Sequence, residues 1–322
     1  MNKYMLTEDQ LSVQELAKKF ADEVVAATVT DLDRKHEFPL EEVKQCGEMG
    51  FLGICVPEEY GGAGMDHLSD VLVMEQIARH SSSLASIIDA HASLGSTPLL
   101  LAGTEEQKQK YLVPAASGQA LCAFALTEPQ SGSDAGQIRT KAVLDGDEWV
   151  INGSKAFITN STYASTFLVA AKTDMEAKGS RGISIFIVPA GTPGFEVGKP
   201  EEKMSNRSSY SCPLTFTDVR IPKENLLGEL NRGFPLFMKC IDDGRVAISA
   251  VAVGMAQGVL ERAAKYSKER VTFGKPICEN QAIAFKLAEM ATQIDVARAM
   301  LYNTARMSDN GVPFSKEATM TK

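Results

Sequence analysis

Phe124-Ala125-Leu126-Thr127-Glu128-Pro129-Gln130-Ser131-Gly132-Ser133-Asp134 marks the place where the periodicity of the chain changes. Before it, apolar residues recur at helical spacing. After it they come in short runs broken by turn residues. Its three small hydroxyl residues, proline and glycine expose backbone N–H groups and hydroxyls on a loop, which suits a phosphate or a polar heterocycle. A domain-joining turn capped by Asx and serine side chains explains the same composition, and composition alone favours that simpler reading.

Upstream, Thr7 with Gln10 forms a capping-box pattern, followed by Leu11, Leu16, Phe20, Val24 and Val25 at roughly helical spacing. Pro39 opens another helical run, and Glu58 to Gly64 is a glycine loop. Helical spacing returns over Leu68 to Ala78 and Ser83 to Leu101, and Thr104 to Gln107 is a second capping pattern.

Downstream, Asp145-Gly146 signals a hairpin. Trp149-Val150-Ile151 leads into an expected turn at Asn152-Gly153. Strands are expected at Ala156 to Thr159, Phe167 to Val169, Gly182 to Val188 and Leu214 to Phe216, with Pro189, Gly191, Pro193 and Gly194 as punctuation. From Phe234 the helical period resumes, with one helix over Pro235 to Glu269, ended by Val271 to Pro276, and another over Asn280 to Ser308. Ser315 reads as the N-cap of a third helix, with Glu317 in its first turn. The fold class is therefore α+β. It comprises an N-terminal helical domain (1–121), a middle β-barrel-like or β-sandwich domain (122–229) and a C-terminal helical bundle (230–322).

Composition narrows the function classes. Of the 322 residues, 44% are hydrophobic and 23% charged, as in soluble globular proteins, which excludes a disordered chain. The formal charge of −8 argues against nucleic acid as a partner. The N-terminus, MNKYMLTEDQ, has no signal-peptide core, and acids appear at Glu8 and Asp9. No run approaches the ~18 apolar residues of a membrane span. The cysteines at 46, 55, 122, 212, 240 and 278 form no CxxC and read as reduced thiols of a cytoplasmic protein. The histidines at 36, 67, 80 and 91 have no ligand spacing, so no metal site is expected. The chain has no GxGxxG after a strand and no Walker A, GxSxG or HExxH motif, which demotes the corresponding enzyme classes.

A second stretch, Gly153-Ser154-Lys155-Ala156-Phe157-Ile158-Thr159-Asn160, sets an aromatic two residues from a hydroxyl. Alone it reads as an amphipathic strand. With it, five motifs follow one another in order. They are Pro57 to Gly64, then Leu126 to Pro129 with Ser131 to Asp134, then Ile151 to Lys155 with Phe157 to Asn160. Phe216 to Pro222 follows, and the last is Glu269 to Pro276 with Gln281. In these motifs the chain resembles the acyl-CoA dehydrogenase family, of the short-chain, butyryl-CoA type, over most of its length.

The resemblance implies an FAD enzyme that removes two hydrogens across Cα–Cβ of an acyl-CoA thioester and passes electrons to an electron-transferring flavoprotein. It implies that Phe124, Leu126 and Thr127 line the isoalloxazine, with Thr127 donating to its polar edge, and that Gly132 and Ser133 sit at the pyrophosphate. It places Phe157 on the flavin face where tryptophan is common, with Ile158 beside it and Thr159 near N5. Arg270 and Gln281 match FAD-contacting residues, Arg270 across a subunit boundary, which implies a homotetramer. Ser133, Asp242 and Arg245 match CoA-side residues. For Asp242 and Arg245, an i,i+3 helix ion pair is the simpler alternative.

Three departures stand out. Met204 to Ser209 lies where the family commonly has glycine-isoleucine before the basic residue, so the turn carrying Arg207 is expected to differ. Gly244 occupies the position of the glutamate base of isovaleryl- and long-chain-type members, which excludes that arrangement. Most other members carry the base near the C-terminus, and Ser315 to Lys322 matches the start of the family's next helix. No catalytic residue is therefore assigned within the chain. The base is expected C-terminal to Lys322, in a C-terminally truncated sequence. An uncovered ~1,000 Å² of apolar surface would forgo on the order of 25 kcal/mol, against a net stability of ~5–15 kcal/mol. A chain ending there is expected to fold poorly, bind flavin weakly or use another chain as cover. Two other functions remain open: a non-catalytic flavin-fold subunit, and an acyl-CoA oxidase on the same fold.

Overall fold

A computed structural model describes residues 4–322; Met1 to Lys3, the start of the N-terminal stretch read above, lie outside the described residues. The N-terminal part contains α1 (Glu8–Phe20), α2 (Ala26–Lys35), α3 (Leu40–Glu48), α4 (His67–Ala78), α5 (Ser82–Asp89), α6 (Thr97–Ala102), α7 (Glu105–Gln107) and α8 (Val113–Ala116). The strands are β1 (Leu121–Ala125), β2 (Lys141–Asp145), β3 (Glu148–Thr159), β4 (Ala164–Lys172), β5 (Ile183–Pro189), β6 (Phe195–Val197), β7 (Ser211–Pro222) and β8 (Leu226–Leu227). Then come α9 (Gly233–Glu269), the short strands β9 (Val271–Thr272) and β10 (Lys275–Pro276), α10 (Gln281–Asp309) and α11 (Ser315–Thr321).

Both capping boxes form: Thr7 with Gln10 opens α1, and Thr104 with Gln107 opens α7. Wide π-type turns at Ala21–Val25 and Ala90–Ser96 lie within stretches that the sequence period treats as continuous helix, and a third follows α7 at Lys108–Leu112. Phe314, not Ser315, caps α11, and Ser315 is already its first helical residue.

The chain divides into two units. One holds Asp33–Met65 and Ile87–Gly244, and is built on an eight-stranded sheet of order β6-β7-β3-β2-β4-β5-β8, with β1 parallel to β4. Leu168, Ala170, Ile183, Ile185 and Ile187 pack with Leu99, Leu112 and Phe237 on one face. Phe167, Val169, Ala171, Phe186 and Val188 pack with Trp149, Leu214, Phe216 and Val219 on the other. β4 and β5 are thus buried on both faces, which explains their nearly continuous apolar runs. Trp149 of β3 touches Phe186 of β5 across 5.0 Å between ring centroids, so the sheet curls back on itself.

The expected hairpin at Asp145-Gly146 joins β2 to β3, with Gly146 at φ +64°. The expected turn at Asn152-Gly153 does not form. β3 runs through it as a bulge, because Gly153 (φ +149°) presses against Thr140 and the Asn152 side chain is held by Asp218. An ideal Cβ on Gly153 would lie 2.5 Å from the Thr140 hydroxyl, so the glycine serves close approach rather than reversal.

The other unit holds the chain up to Leu32, Asp66–Ser86 and Arg245–Lys322. α9 approaches α4 through glycines: a Cβ on Gly254 would fall 2.3 Å from the Glu75 carbonyl oxygen, and one on Gly258 2.1 Å from that of Arg79. Buried Glu75 accepts from Arg298 Nε at 2.8 Å and from the Tyr302 hydroxyl at 2.8 Å. An apolar groove of about 700 Å³, lined by Ile248, Val253, Val259, Met290 and Ile294, lies between α9 and α10. Two helical stretches, Ser82–Ala102 and Gly233–Glu269, are long and apolar enough to cross a membrane by length and composition alone. Some 61% and 44% of their most apolar windows are buried inside the protein, and core helices pass the same test.

Candidate functional site

The loop after β1 is held to β3 by a fully buried cation. Lys155 Nζ donates to the Leu126 carbonyl oxygen at 3.1 Å and lies 2.7 Å from Glu128 Oε1. One residue on, the Ala156 N–H donates to the Thr127 carbonyl at 2.9 Å. The Glu128 carboxylate also accepts from Thr140 N (3.0 Å), Arg139 N (2.6 Å) and the Gln130 side chain (2.6 Å). Burial alone would raise the Glu128 pKa, but Lys155 and these N–H donors outweigh it and keep the group ionised. Burial lowers the Lys155 ammonium to about 8 against the pull of Glu128, so the pair is charged at neutral pH.

Glu128 N–H and carbonyl both pair with Ser131, closing the next turn, and the Ser131 hydroxyl donates to the Asp134 carbonyl at 2.6 Å. The loop is therefore rigid on its protein side. Among the described residues, neither the Thr127 N–H nor its hydroxyl has a partner. A Cβ on Gly132 would meet nothing within 4 Å, and Ser133 is exposed.

Immediately beyond Lys155 the β3–β7 register slips, and Phe157 takes φ +60° with 64% of its surface exposed. A bulky residue in left-handed backbone is strained, and such strain gathers at functional sites. The bulge leaves the ring off the packed face, while Ile158 beside it is buried in the sheet's inner layer. The Thr159 hydroxyl lies 3.4 Å from that of Ser211.

The structure thus brings Leu126, Thr127, Phe157, Ile158 and Thr159 to the junction of the loop and β3. Phe124 packs on Phe237 with ring centroids 4.1 Å apart. Gly132 and Ser133 follow along the same loop. Arg270 and Gln281 belong to the other unit. Arg270 closes α9, its N–H donating to Tyr266 (2.8 Å) and its carbonyl accepting from Ile277 (2.9 Å), and Gln281 opens α10. Asp242 and Arg245 lie one turn apart on α9. Arg207 donates to Asp33 at 2.7 Å and lies 3.3 Å from His36 Nε2, so its turn is tied to the 33–36 segment. A Cβ on Gly244 would meet the Leu94 and Ser93 side chains at 3.2 and 3.3 Å, so those side chains would have to give by a few tenths of an ångström.

Sequence reading assigned no role to Lys155 or Asn160. Asn160 is buried and donates to the Ile87 carbonyl at 3.0 Å, tying the end of β3 to α5. Their place inside the quoted motifs was the available signal.

Three family models match the chain in order. They are acyl-CoA dehydrogenase N-terminal domain over residues 7–119, middle domain over 123–219 and C-terminal domain over 231–322. The chain belongs to the acyl-CoA dehydrogenase family.

Members of this family are flavoprotein oxidoreductases acting on CH–CH bonds. The chain is 46% identical over 319 residues to the probable acyl-CoA dehydrogenase YngJ of Bacillus subtilis (strain 168), covering 99% of this chain and 84% of that protein. It superimposes on butyryl-CoA dehydrogenase from Megasphaera elsdenii with a TM-score of 0.96 and 41% identity, covering 100% of this chain and 84% of that one. It also superimposes on a chain in a structure of the electron transferring flavoprotein of Acidaminococcus fermentans. The TM-score is 0.97 and the identity 45%, over 100% and 84% of the two chains. The succession of helical, β and helical domains agrees with the sequence reading.

Proposed function

We propose that the protein carries out FAD-dependent α,β-dehydrogenation of a short-chain acyl-CoA thioester to the 2-enoyl-CoA, passing electrons to an electron-transferring flavoprotein. The observation that carries this reading is the donor set at the loop–β3 junction. The carbonyls of Leu126 and Thr127 are occupied by β3 while, among the described residues, the Thr127 N–H and hydroxyl have no partner. Such donors match the acceptor-rich edge of an isoalloxazine, and the open backbone at Gly132 with the exposed Ser133 suits a pyrophosphate.

FAD, when bound, supplies the acceptor for the hydride leaving Cβ. The chain's own residues bind and orient. Thr127 donates to the flavin edge, with Phe124 and Leu126 beside it. Phe157 covers a flavin face, with Ile158 and Thr159 alongside. Ser133, Asp242 and Arg245 serve the CoA moiety. Arg270 and Gln281 complete the FAD site, Arg270 from a neighbouring subunit of a cytoplasmic homotetramer. Glycine at position 244 offers no carboxylate there to take the α-proton.

The test is turnover of butyryl-CoA by the full-length protein, with an artificial electron acceptor and oxygen consumption recorded together. Enoyl-CoA formation that depends on the acceptor supports a dehydrogenase. Matching oxygen consumption would assign an oxidase. No turnover by flavin-loaded protein would favour a non-catalytic subunit.

A further inference from the structure

The Leu126 carbonyl and the Thr127 N–H belong to one peptide group, which is planar and trans, so they point in opposite directions. Fixing one aims the other. That carbonyl accepts from Lys155, whose ammonium is wholly buried and is anchored by Glu128, itself held by two backbone N–H groups. The next peptide is fixed from the same strand through Ala156 N–H.

We infer that Lys155 is a positioning residue for the cofactor: its grip on the Leu126 carbonyl orients the Thr127 N–H toward the flavin edge. The inference rests on the FAD reading above. A buried cation costs free energy to desolvate, and an apolar side chain of similar length would fill the space at less cost. What such a side chain lacks is a donor for the Leu126 carbonyl. Lys155 also stands two residues before the strained Phe157, so one strand position ties the loop to the bulge that exposes the ring.

The experiment compares wild type, Lys155→Met and Lys155→Met/Glu128→Gln in the full-length protein. It measures the FAD dissociation constant of the refolded apoprotein, the visible flavin spectrum and the Tm. The single variant leaves Glu128 as an unpaired buried charge and is expected to lose stability for that reason alone. The double variant removes that charge, so its Tm recovers. A positioning role predicts that FAD binding stays at least tenfold weaker in the double variant, with a shifted flavin spectrum, despite the recovered Tm. Recovery of both Tm and FAD affinity would overturn the inference and leave Lys155 a stabilising residue only. Should the double variant fold poorly, Lys155→Arg, which keeps the charge but changes the donor geometry, gives the second readout. FAD affinity and flavin spectrum equal to wild type overturn the inference, and weaker FAD binding with an altered spectrum at an unchanged Tm supports it. Failure of the wild type to bind FAD would instead overturn the reading on which the inference rests.

Discussion

The imidazole of His91 accepts a hydrogen bond from the Cys122 peptide N–H at 3.0 Å, and its Nε2 donates to the Ala115 carbonyl at 3.1 Å. The first bond needs an unprotonated Nδ1, so this fully buried ring is neutral in the folded protein. Burial is the dominant cause that lowers its pKa from 6.5 to about 4. The unfolded chain therefore takes up a proton near 6.5 that the folded protein refuses until about 4. The contribution is full above the higher value and falls as pH drops through this window, by about 3 kcal/mol in all. Urea midpoints across pH 4 to 7 (~) check this: His91→Gln is expected to flatten the slope there.

Thr127→Val keeps the shape and removes a hydroxyl that has no partner among the described residues. Its effect is expected on the cofactor alone: about tenfold weaker FAD binding, the worth of one hydrogen bond, with Tm unchanged. Titration of the apoprotein with FAD is the measurement.

Phe157 holds a left-handed backbone that asparagine adopts with less strain. Phe157→Asn should stabilise the flavin-free protein by about 0.5–1 kcal/mol and weaken FAD binding, a trade of stability against function. Denaturant melts with and without FAD check both signs.

Gly258→Ala drives a methyl to 2.1 Å from the Arg79 carbonyl oxygen. A loss of about 2–3 kcal/mol is expected, because backbone cannot move aside as a side-chain tip can. Gly132→Ala meets nothing within 4 Å and should leave flavin-free stability within about 0.5 kcal/mol.

Arg298→Met leaves the Glu75 carboxylate, buried beside Tyr302, without its ion-pair partner. A loss of about 3–5 kcal/mol is expected. Arg298→Met with Glu75→Gln should recover part of it, which a thermodynamic cycle would show.

Local signals were legible in the sequence. The capping boxes at Thr7 and Thr104 and the Asp145-Gly146 hairpin depend on residues within a few positions of one another, and all three form. Val271 to Pro276, read as a helix stop, is a hairpin in which Phe273 (φ +50°) and Gly274 (φ +78°) make the reversal. Asn152-Gly153 misled because a glycine serves equally for a turn and for close approach, and only the distant Thr140 and Asp218 decide. Lys155 and Glu128 are 27 residues apart, and no local period reveals that a lysine lies wholly inside. The motif order led to the family, whereas the donor geometry at Thr127 needed the folded chain.

The proposed function requires a flavin held at Thr127 and Phe157 to take two electrons from an acyl-CoA thioester. Anaerobic titration of the FAD-loaded full-length protein with butyryl-CoA tests it most directly. Loss of the oxidised-flavin absorbance with matching formation of the 2-enoyl-CoA is the predicted result. An unchanged flavin spectrum at saturating butyryl-CoA, with no enoyl product, would contradict it.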